Sequence, residues 1–194
     1  MIKFEGTIAP VTAESLTRCT VCHRYFTKEQ ENVFFNCADV SCSGRTTLDI
    51  HPSNGKFLTD EVVRESYWYH ATDAEDWMGV LLNNEEANIP LVHIGTEETA
   101  IEVILDKYTN SPYPISVYRI KLKETAVLHQ DVFYDANEWP ETLKDVRPEG
   151  SVYRYVNRWE SAGSISLLVD PRELEIESVE RLTTHAALMD LVTA

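Results

Sequence analysis

Residues 19–42 read CTVCHRYFTKEQENVFFNCADVSC and contain all four cysteines of the 194-residue chain. Two residues separate Cys19 from Cys22, and four separate Cys37 from Cys42. Two closely spaced cysteine pairs are typical of a tetrahedral zinc site, because each pair lets the backbone turn tightly around the ion. The stretch therefore predicts a small zinc-ribbon-like module with four thiolate ligands.

Disulfides and four free thiols are the alternatives for these cysteines. Disulfides persist mainly in exported proteins, and the N-terminal segment MIKFEGTIAPVTAES is too polar for a signal peptide. His23 and His51 lie near enough to replace a cysteine ligand, but the four cysteines already complete a set. Since four protein ligands leave no open position, we expect a structural ion that supplies most of the module's folding free energy.

A change of composition follows the cysteines. No cysteine occurs after residue 42, and His51-Pro52-Ser53-Asn54-Gly55 has the composition of a turn. We therefore expect a zinc-binding module over residues 1–55 and a larger domain over residues 56–194.

The charge is unevenly distributed. Residues 1–60 have six basic and seven acidic side chains, whereas residues 61–194 have eleven and twenty-five, a net charge of −14. Such acidity disfavours nucleic acid as a partner, because phosphate backbones are bound mainly by Lys and Arg, although it suits a face that mimics nucleic acid. No apolar run reaches 18 residues, so we expect no membrane span and a cytoplasmic protein.

The larger domain combines strands with two helices. The helices are expected over residues 73–83, capped by Thr72 or Asp73, and over residues 96–108, capped by Thr96. Apolar and alternating runs predict strands over 65–70, 91–94, 115–122, 154–157, 163–169 and 174–181. Strands outnumber helices and both helices lie in the first half, which indicates an α+β fold rather than a wound βαβ sheet.

Three polar segments lie at strand ends. Tyr69-His70-Ala71-Thr72 and His93-Ile94-Gly95-Thr96 each end a strand before a helix, and Asn157-Arg158-Trp159-Glu160 precedes the strand that opens at Gly163. Strand ends that face one cleft bring polar side chains together around ligands. Each segment also has a simpler explanation, because a lone His is usually a surface or core residue and Thr is an ordinary N-cap.

In this order the segments resemble the ADP-ribosyltransferase superfamily. The first-strand His-Gly-Ser/Thr motif of its His-Tyr-Glu branch matches His70, Ala71 and Thr72, and its second motif and Ala-rich helix match residues 90–108. Its late glutamate matches Glu160. The resemblance covers roughly residues 66–180 and implies a split antiparallel β-sheet that clamps NAD.

The resemblance also implies roles for individual residues. Glu160 would stabilise the positive charge on the nicotinamide ribose, and His70 would orient the substrate. An aromatic ring would cover the nicotinamide, with Tyr67, Tyr69, Trp77 and Tyr108 as candidates, and Arg158 or Ser166 would keep Glu160 ionised. The residues expected to bind NAD are Tyr69, His70, Thr72, His93, Thr96, Asn157 and Arg158.

Two positions depart from the family pattern. Ala71 replaces the usual Gly, and His93 stands where a stacking Tyr is expected. Val92-His93-Ile94-Gly95 is also similar to a segment of the RNA 2′-phosphotransferases of the same superfamily, although those enzymes need several arginines.

The resemblance implies an NAD-dependent mono-ADP-ribosyltransferase-like enzyme that modifies a macromolecule, preceded by the zinc module. The alternative is a non-enzymatic acidic interaction protein, with RNA 2′-phosphotransfer as a third hypothesis. His129, Asp131 and Asp135 are spaced like metal ligands, but a solvated loop is the preferred interpretation of that segment.

Overall fold

The structure is a computed structural model that describes residues 17–19, 21–26, 36–37, 39–50, 52–82, 91–133 and 150–182. The described part of the chain is mixed α+β, as the sequence predicts. Helices in it are all too short or too polar to span a membrane.

The N-terminal module is a three-stranded antiparallel sheet. Its strands are β1 (Thr17–Cys19), β2 (Tyr25–Phe26) and β3 (Thr46–Leu48), with β1 in the centre. Leu48 packs in the same hydrophobic core as residues of the larger domain. The module therefore packs directly against that domain, and the boundary at residue 55 stays a prediction.

Two helices that the sequence interpretation missed follow the module. A 3₁₀ helix covers Pro52–Leu58, where a turn was expected, and α1 covers Asp60–Glu65. Phe57 and Val63 from these helices are buried in the core. Burial of these apolar side chains against the sheets stabilises the short helices, which are too short to be stable alone.

The described residues of the larger domain form two sheets. One has the order β10-β6-β4 and the other β5-β9-β8-β7. Pairing is antiparallel except between β7 and β8, which run parallel, so the expectation of an antiparallel sheet is wrong at that pair. The strands are β4 (Trp68–Thr72), β5 (Val92–Ile94), β6 (Ile115–Leu122), β7 (Val127–Phe133), β8 (Ser151–Val156), β9 (Ile165–Val169) and β10 (Leu174–Leu182).

The prediction of a loop around His129 and Asp131 is wrong, because this segment is a strand. Both residues lie in β7, which pairs with β8 and has an irregular register between Leu128 and Val132. The register shift breaks the regular alternation of apolar and polar residues, which is the signal that identifies a strand in a sequence. Asp135 lies outside the described residues.

A two-residue bridge joins the sheets. The backbone N–H and carbonyl of Tyr69 in β4 exchange hydrogen bonds of 2.8 and 2.9 Å with Gly95, immediately after β5. A side chain at residue 95 would lie 2.7 Å from the Thr99 methyl group and 3.3 Å from Ser166 Oγ, so the close approach requires glycine. This bridge brings the ends of β4 and β5 together.

The other helices flank the bridge. Thr96 caps α3 (Glu97–Val103) through its hydroxyl, as expected, and the helix continues as one π-helical turn over Ile104–Tyr108. α2 covers only Trp77–Leu82. The prediction of Thr72 or Asp73 as its cap is wrong, because Thr72 Oγ1 accepts the N–H of Ala74 in a turn that precedes the helix. The residue that accepts an N–H from the first turn of α2 is Asp76, which accepts from Gly79.

Candidate functional site

The four cysteines form one cluster. Their sulfur atoms all lie within 4.8 Å of one another, and the pairs Cys19–Cys42 and Cys22–Cys37 are both 3.7 Å apart. These separations are too long for disulfides, which are about 2.05 Å, and all four cysteines are free. A tetrahedron with Zn–S bonds of about 2.3 Å has S–S edges of about 3.8 Å. The cluster therefore has dimensions that could hold one metal ion.

Backbone N–H groups beside the cluster favour the thiolate form of Cys19. The N–H groups of Val21 and Cys22 donate to Cys19 Sγ at 3.3 and 3.4 Å, and the bond from Cys22 is the main cause that lowers the pKa of Cys19 to about 6. Burial instead raises the pKa of Cys37 to about 12. A divalent cation overcomes such a desolvation cost, because metal binding deprotonates the coordinating thiol.

The packing of the four cysteines requires a glycine at residue 44. A Cβ atom at this position would lie 2.4 Å from Cys19 Sγ and 2.9 Å from Val21 Cβ, so any other residue would displace a ligand. The sequence interpretation missed Gly44, because a single glycine beside four cysteines gives no signal about sulfur packing.

The second site lies where β4 meets β5. His70 in β4 donates from Nδ1 to the backbone carbonyl of His93, at 2.8 Å, and stacks on Trp77 with ring centroids 3.9 Å apart and planes 8° apart. Burial lowers the pKa of His70 to about 4. At neutral pH the ring is therefore uncharged, with Nδ1 protonated and Nε2 left as a hydrogen-bond acceptor.

His93 forms a hydrogen bond with a buried tyrosine. Its Nδ1 lies 3.0 Å from the phenol oxygen of Tyr155 in β8. Burial raises the pKa of Tyr155 above its usual range, so the phenol stays protonated, and the phenol also contacts Ser166. Burial lowers the pKa of His93, which favours a neutral ring. Because a phenol both donates and accepts, the direction of this hydrogen bond sets the tautomer of His93 and with it the role of Nε2.

Glu160 forms an ion pair with Lys107. Its carboxylate is 2.6 Å from Lys107 Nζ, and the exposed fractions of the Glu160 and Lys107 side chains are 14% and 55%. The charge of Glu160 acts to raise the pKa of His93, and that of Lys107 acts to lower the pKa values of both His70 and His93. Glu160 therefore interacts electrostatically with His93, and Lys107 with both imidazoles.

A short loop positions Glu160. The side-chain oxygen of Asn157 accepts the N–H groups of Trp159 and Glu160 at 3.0 and 3.1 Å, and its amide donates to Ser166 Oγ at 3.2 Å. Ser161 adopts a positive φ of 49° and donates its N–H to Glu102 in α3, at 2.5 Å. The loop is thus fixed both to β9 and to α3.

Other residues expected to bind a ligand have structural contacts. Thr72 and Thr96 close a turn and cap α3, and the Asn157 amide donates to Ser166. Tyr69 lies on the opposite face of β4 from His70 and packs against the cluster that contains Ile104. Their role in ligand binding stays a prediction.

Arg158 and Ser166 were expected to keep Glu160 ionised. The buried guanidinium of Arg158 instead donates to the carbonyl of Thr46, and the hydroxyl of Ser166 contacts Asn157 and Tyr155. Lys107 forms the ion pair with Glu160 that the structure shows.

Among the four aromatic candidates, Trp77 is the ring that contacts His70. It is buried and covers one face of His70. Tyr67 lies beneath the Arg119 guanidinium carbon, which is 3.5 Å from the Tyr67 ring centroid, and Tyr108 packs in the cluster around Ile104. Stacking on Trp77 therefore fixes the plane of the His70 ring.

Lys107 and Tyr155 are the site residues that the sequence interpretation missed. Lys107 is an ordinary basic residue at a helix end, and Tyr155 is one of two tyrosines in β8. Tyr155 could have been suspected from its position two residues before Asn157, whereas Lys107 has no local signal.

Comparison of the chain with protein-family models, curated proteins and solved structures found no match in any of the three.

Proposed function

We propose that the protein is an NAD-dependent mono-ADP-ribosyltransferase-like enzyme that modifies a macromolecule, with a structural zinc ion in its N-terminal module. The observations that support the enzyme are the hydrogen bond from His70 to the His93 carbonyl and the electrostatic interaction of Glu160 with His93, which link β4, β5 and the loop before β9. These are the groups that the resemblance to the ADP-ribosyltransferase superfamily requires in one cleft.

The reaction breaks the bond between C1′ of the ribose and the nicotinamide nitrogen. The electron pair of that bond goes to the nitrogen and neutralises the pyridinium, while positive charge develops on the ribose. A nucleophile of the acceptor then forms a bond to C1′ and releases a proton to solvent. A carboxylate beside the ribose stabilises this transition state, and we assign that role to Glu160.

The imidazoles are suited to orientation rather than proton transfer. Because burial lowers the pKa of His70 to about 4, this ring is a poor acid or base at neutral pH, but its Nε2 can accept a hydrogen bond from a hydroxyl group. In the tautomer protonated at Nε2, His93 can donate to a carboxamide or hydroxyl oxygen. Together they would fix a ribose and a nicotinamide amide relative to Glu160.

The zinc assignment rests on the sulfur separations of 3.7 Å and on the all-cysteine ligand set. Cys19, Cys22, Cys37 and Cys42 would hold the ion, and a closed tetrahedral site stabilises folding rather than activating water. Native mass spectrometry should show one zinc ion per chain that is lost with a chelator. An unchanged mass after chelation would contradict the assignment.

A non-enzymatic interaction protein is the second candidate. The observation that favours it is the Lys107–Glu160 ion pair, which neutralises the carboxylate that the enzyme needs. The excess of acidic residues in 61–194 would then provide the contact with a basic protein partner.

NAD binding and cleavage distinguish the candidates. A ligand at 100 times its Kd raises the free energy of unfolding by about 2.7 kcal/mol, so NAD should increase the melting temperature of the enzyme.

We expect the protein to hydrolyse NAD slowly, and we expect Glu160→Gln to lower that activity by about 100-fold or more. Glu98→Gln is the matched control, because Glu98 is an exposed carboxylate on α3. Equal cleavage by wild type and Glu160→Gln would sink the catalytic assignment, and no thermal shift with NAD would favour the interaction protein.

A further inference from the structure

Asn157 begins a chain of hydrogen bonds between buried side chains. Its side-chain oxygen accepts the backbone N–H groups of Trp159 and Glu160 at 3.0 and 3.1 Å. Because two N–H donors point at this atom, it must be the oxygen of the amide, and the other end is the NH₂ group, which can only donate. The loop backbone therefore fixes which way round the Asn157 amide lies.

Ser166 in β9 is the second member of the chain. The Asn157 amide donates to Ser166 Oγ at 3.2 Å, so the serine oxygen is the acceptor in this bond and its own proton needs another acceptor. Ser166 is fully buried and, among the described residues, its other side-chain partner is Tyr155. Since buried hydroxyl groups are nearly always hydrogen-bonded, these partners assign the Ser166 proton to the bond with the phenol oxygen.

Tyr155 in β8 is the third member. Burial raises the pKa of its phenol above the usual range, and the hydrogen bond with Ser166 acts in the opposite direction, as a donor to the phenol oxygen does. The phenol is therefore protonated at neutral pH. Because its oxygen accepts from Ser166, its own proton is available to His93 Nδ1, 3.0 Å away.

This order of donors determines where His93 carries its own proton. A neutral imidazole has one protonated nitrogen, so an accepting Nδ1 places the proton on Nε2. His70 has the reverse arrangement, because its Nδ1 contacts a carbonyl oxygen, which can only accept. The two rings then present one donor, His93 Nε2, and one acceptor, His70 Nε2.

We propose that Tyr155 is a positioning residue: the directed chain from Asn157 through Ser166 and Tyr155 holds His93 as a neutral ring protonated at Nε2, where it donates a hydrogen bond to the ligand. This inference deepens the proposed function and rests on it for the ligand, whereas the tautomer of His93 rests on contacts within the protein. The chain also joins the loop of Glu160 to the His93 ring, because Asn157 accepts the Glu160 N–H.

NMR of histidine side chains labelled with isotopic nitrogen tests the tautomer directly, because protonated and unprotonated ring nitrogens have well-separated shifts. The signals that are missing from His93→Gln identify His93 in the wild-type spectrum. At neutral pH we expect Nε2 of His93 to be protonated and Nδ1 to be unprotonated. A protonated Nδ1 would overturn the proposal, and this measurement on wild type needs no variant of Tyr155.

Tyr155→Phe tests whether the phenol holds the ring, since a free imidazole also prefers the proton on Nε2. The variant keeps the aromatic packing and removes the hydroxyl, so the Nδ1 shift of His93 should move as its hydrogen bond is lost. Tyr153→Phe is the matched control, because Tyr153 is a buried neighbour in β8 that stacks on His129. Unchanged His93 shifts in Tyr155→Phe, or equal changes in both variants, would overturn the proposal.

NAD binding tests the ring as a donor to the ligand. Tyr155→Phe should weaken NAD by about three- to tenfold, the effect of one misplaced hydrogen bond, whereas Tyr153→Phe should stay within about twofold of wild type. Calorimetry measures the affinities, and equal values for the two variants would contradict the positioning role. The expected His93 signals in a protein that does not bind NAD would support the hydrogen-bond chain and reject only the proposed enzyme.

Discussion

The buried guanidinium of Arg158 donates a hydrogen bond of 2.6 Å from Nη2 to the backbone carbonyl of Thr46. Thr46 is the antiparallel partner of Cys19, a member of the cysteine cluster, in the β1–β3 pair. Arg158 lies two residues before Glu160, in the segment that positions the Glu160 backbone. This contact therefore connects the N-terminal module to the candidate site.

We predict that Arg158→Gln lowers the free energy of unfolding by about 2 kcal/mol, because a hydrogen bond to a charged group contributes roughly 1.5–3 kcal/mol. The variant should also shift the NMR signals of Trp159 and Ser161, since the loop loses its anchor on the module. Urea unfolding and heteronuclear NMR measure the two effects.

Arg24→Gln is the control for that experiment. Arg24 pairs with Asp39 at 2.9 Å in the same module, but its side chain is 66% exposed. An exposed ion pair contributes about 0–1 kcal/mol, so this change should leave stability and the loop signals nearly unaltered. If both arginine variants behave alike, the contact with Thr46 does not connect the two sites.

Gly44→Ala should weaken metal binding. The added Cβ would lie 2.4 Å from Cys19 Sγ, which must move and lengthen one ligand bond. We expect a loss of affinity of about tenfold or more, comparable to mutations beside metal ligands in general, measured by competition with a chromophoric chelator. Gly55→Ala is the matched control, because a Cβ there meets nothing within 4 Å. Equal affinities in the two variants would contradict the packing argument.

His70 should make stability depend on pH. Its pKa is about 4 in the folded protein against 6.5 for the free side chain, so the unfolded chain binds more protons between these values. The free energy of unfolding therefore rises with pH across this window and falls on acidification. The difference between the folded and unfolded pKa values corresponds to a change of roughly 3 kcal/mol in the free energy of unfolding.

His70→Gln tests this dependence, because glutamine can donate to the His93 carbonyl but does not titrate. Urea unfolding of wild type and variant at pH 7 and pH 4 gives the comparison. We expect the variant to lose less stability on acidification than wild type. Parallel losses in the two proteins would assign the acid sensitivity to other groups.

The ion pair between Arg154 and Asp60 should respond asymmetrically to mutation. Arg154 in β8 is 1% exposed and donates to the Asp60 carboxylate in α1 and to the carbonyl of His129, whereas the Asp60 side chain is 40% exposed. Removal of Asp60 leaves a guanidinium buried without its counter-charge, which costs about 3–5 kcal/mol. Removal of Arg154 leaves a carboxylate that water can reach.

We therefore expect Asp60→Ala to lower the free energy of unfolding by about 3 kcal/mol, and Arg154→Met by clearly less. Urea unfolding of both variants measures the difference. A larger cost for Arg154→Met would show that packing of the guanidinium stem, rather than the unpaired charge, dominates at this position.

The sequence alone predicted features whose causes lie within a few neighbouring residues. The cysteine cluster follows from the spacing of two pairs, and the cap of α3 follows from Thr96 at the start of an amphipathic run. The order of strands and helices also allowed His70, His93 and Glu160 to be selected as members of one site, through a family resemblance.

The errors occurred where the local signal was interrupted or absent. β7 has an irregular register that hides its alternation, and the short helices before β4 depend on burial of Phe57 and Val63 in the core. The α2 cap was misplaced because Thr72 belongs to β4 and its hydroxyl closes a separate turn. The short helices depend on tertiary contacts, whereas the Thr72 turn is a local alternative to the helix cap.

By itself the sequence determined the four-cysteine cluster, the α+β class and the acidity of the larger domain, because these depend on composition and short spacing. Only the tertiary structure decided three contacts. Tyr69 pairs with Gly95 through backbone hydrogen bonds, Lys107 forms an ion pair with Glu160, and Arg158 donates to the carbonyl of Thr46. These partners lie far apart in the chain, and their meeting depends on the register and packing of two sheets. No local pattern of residues encodes that register.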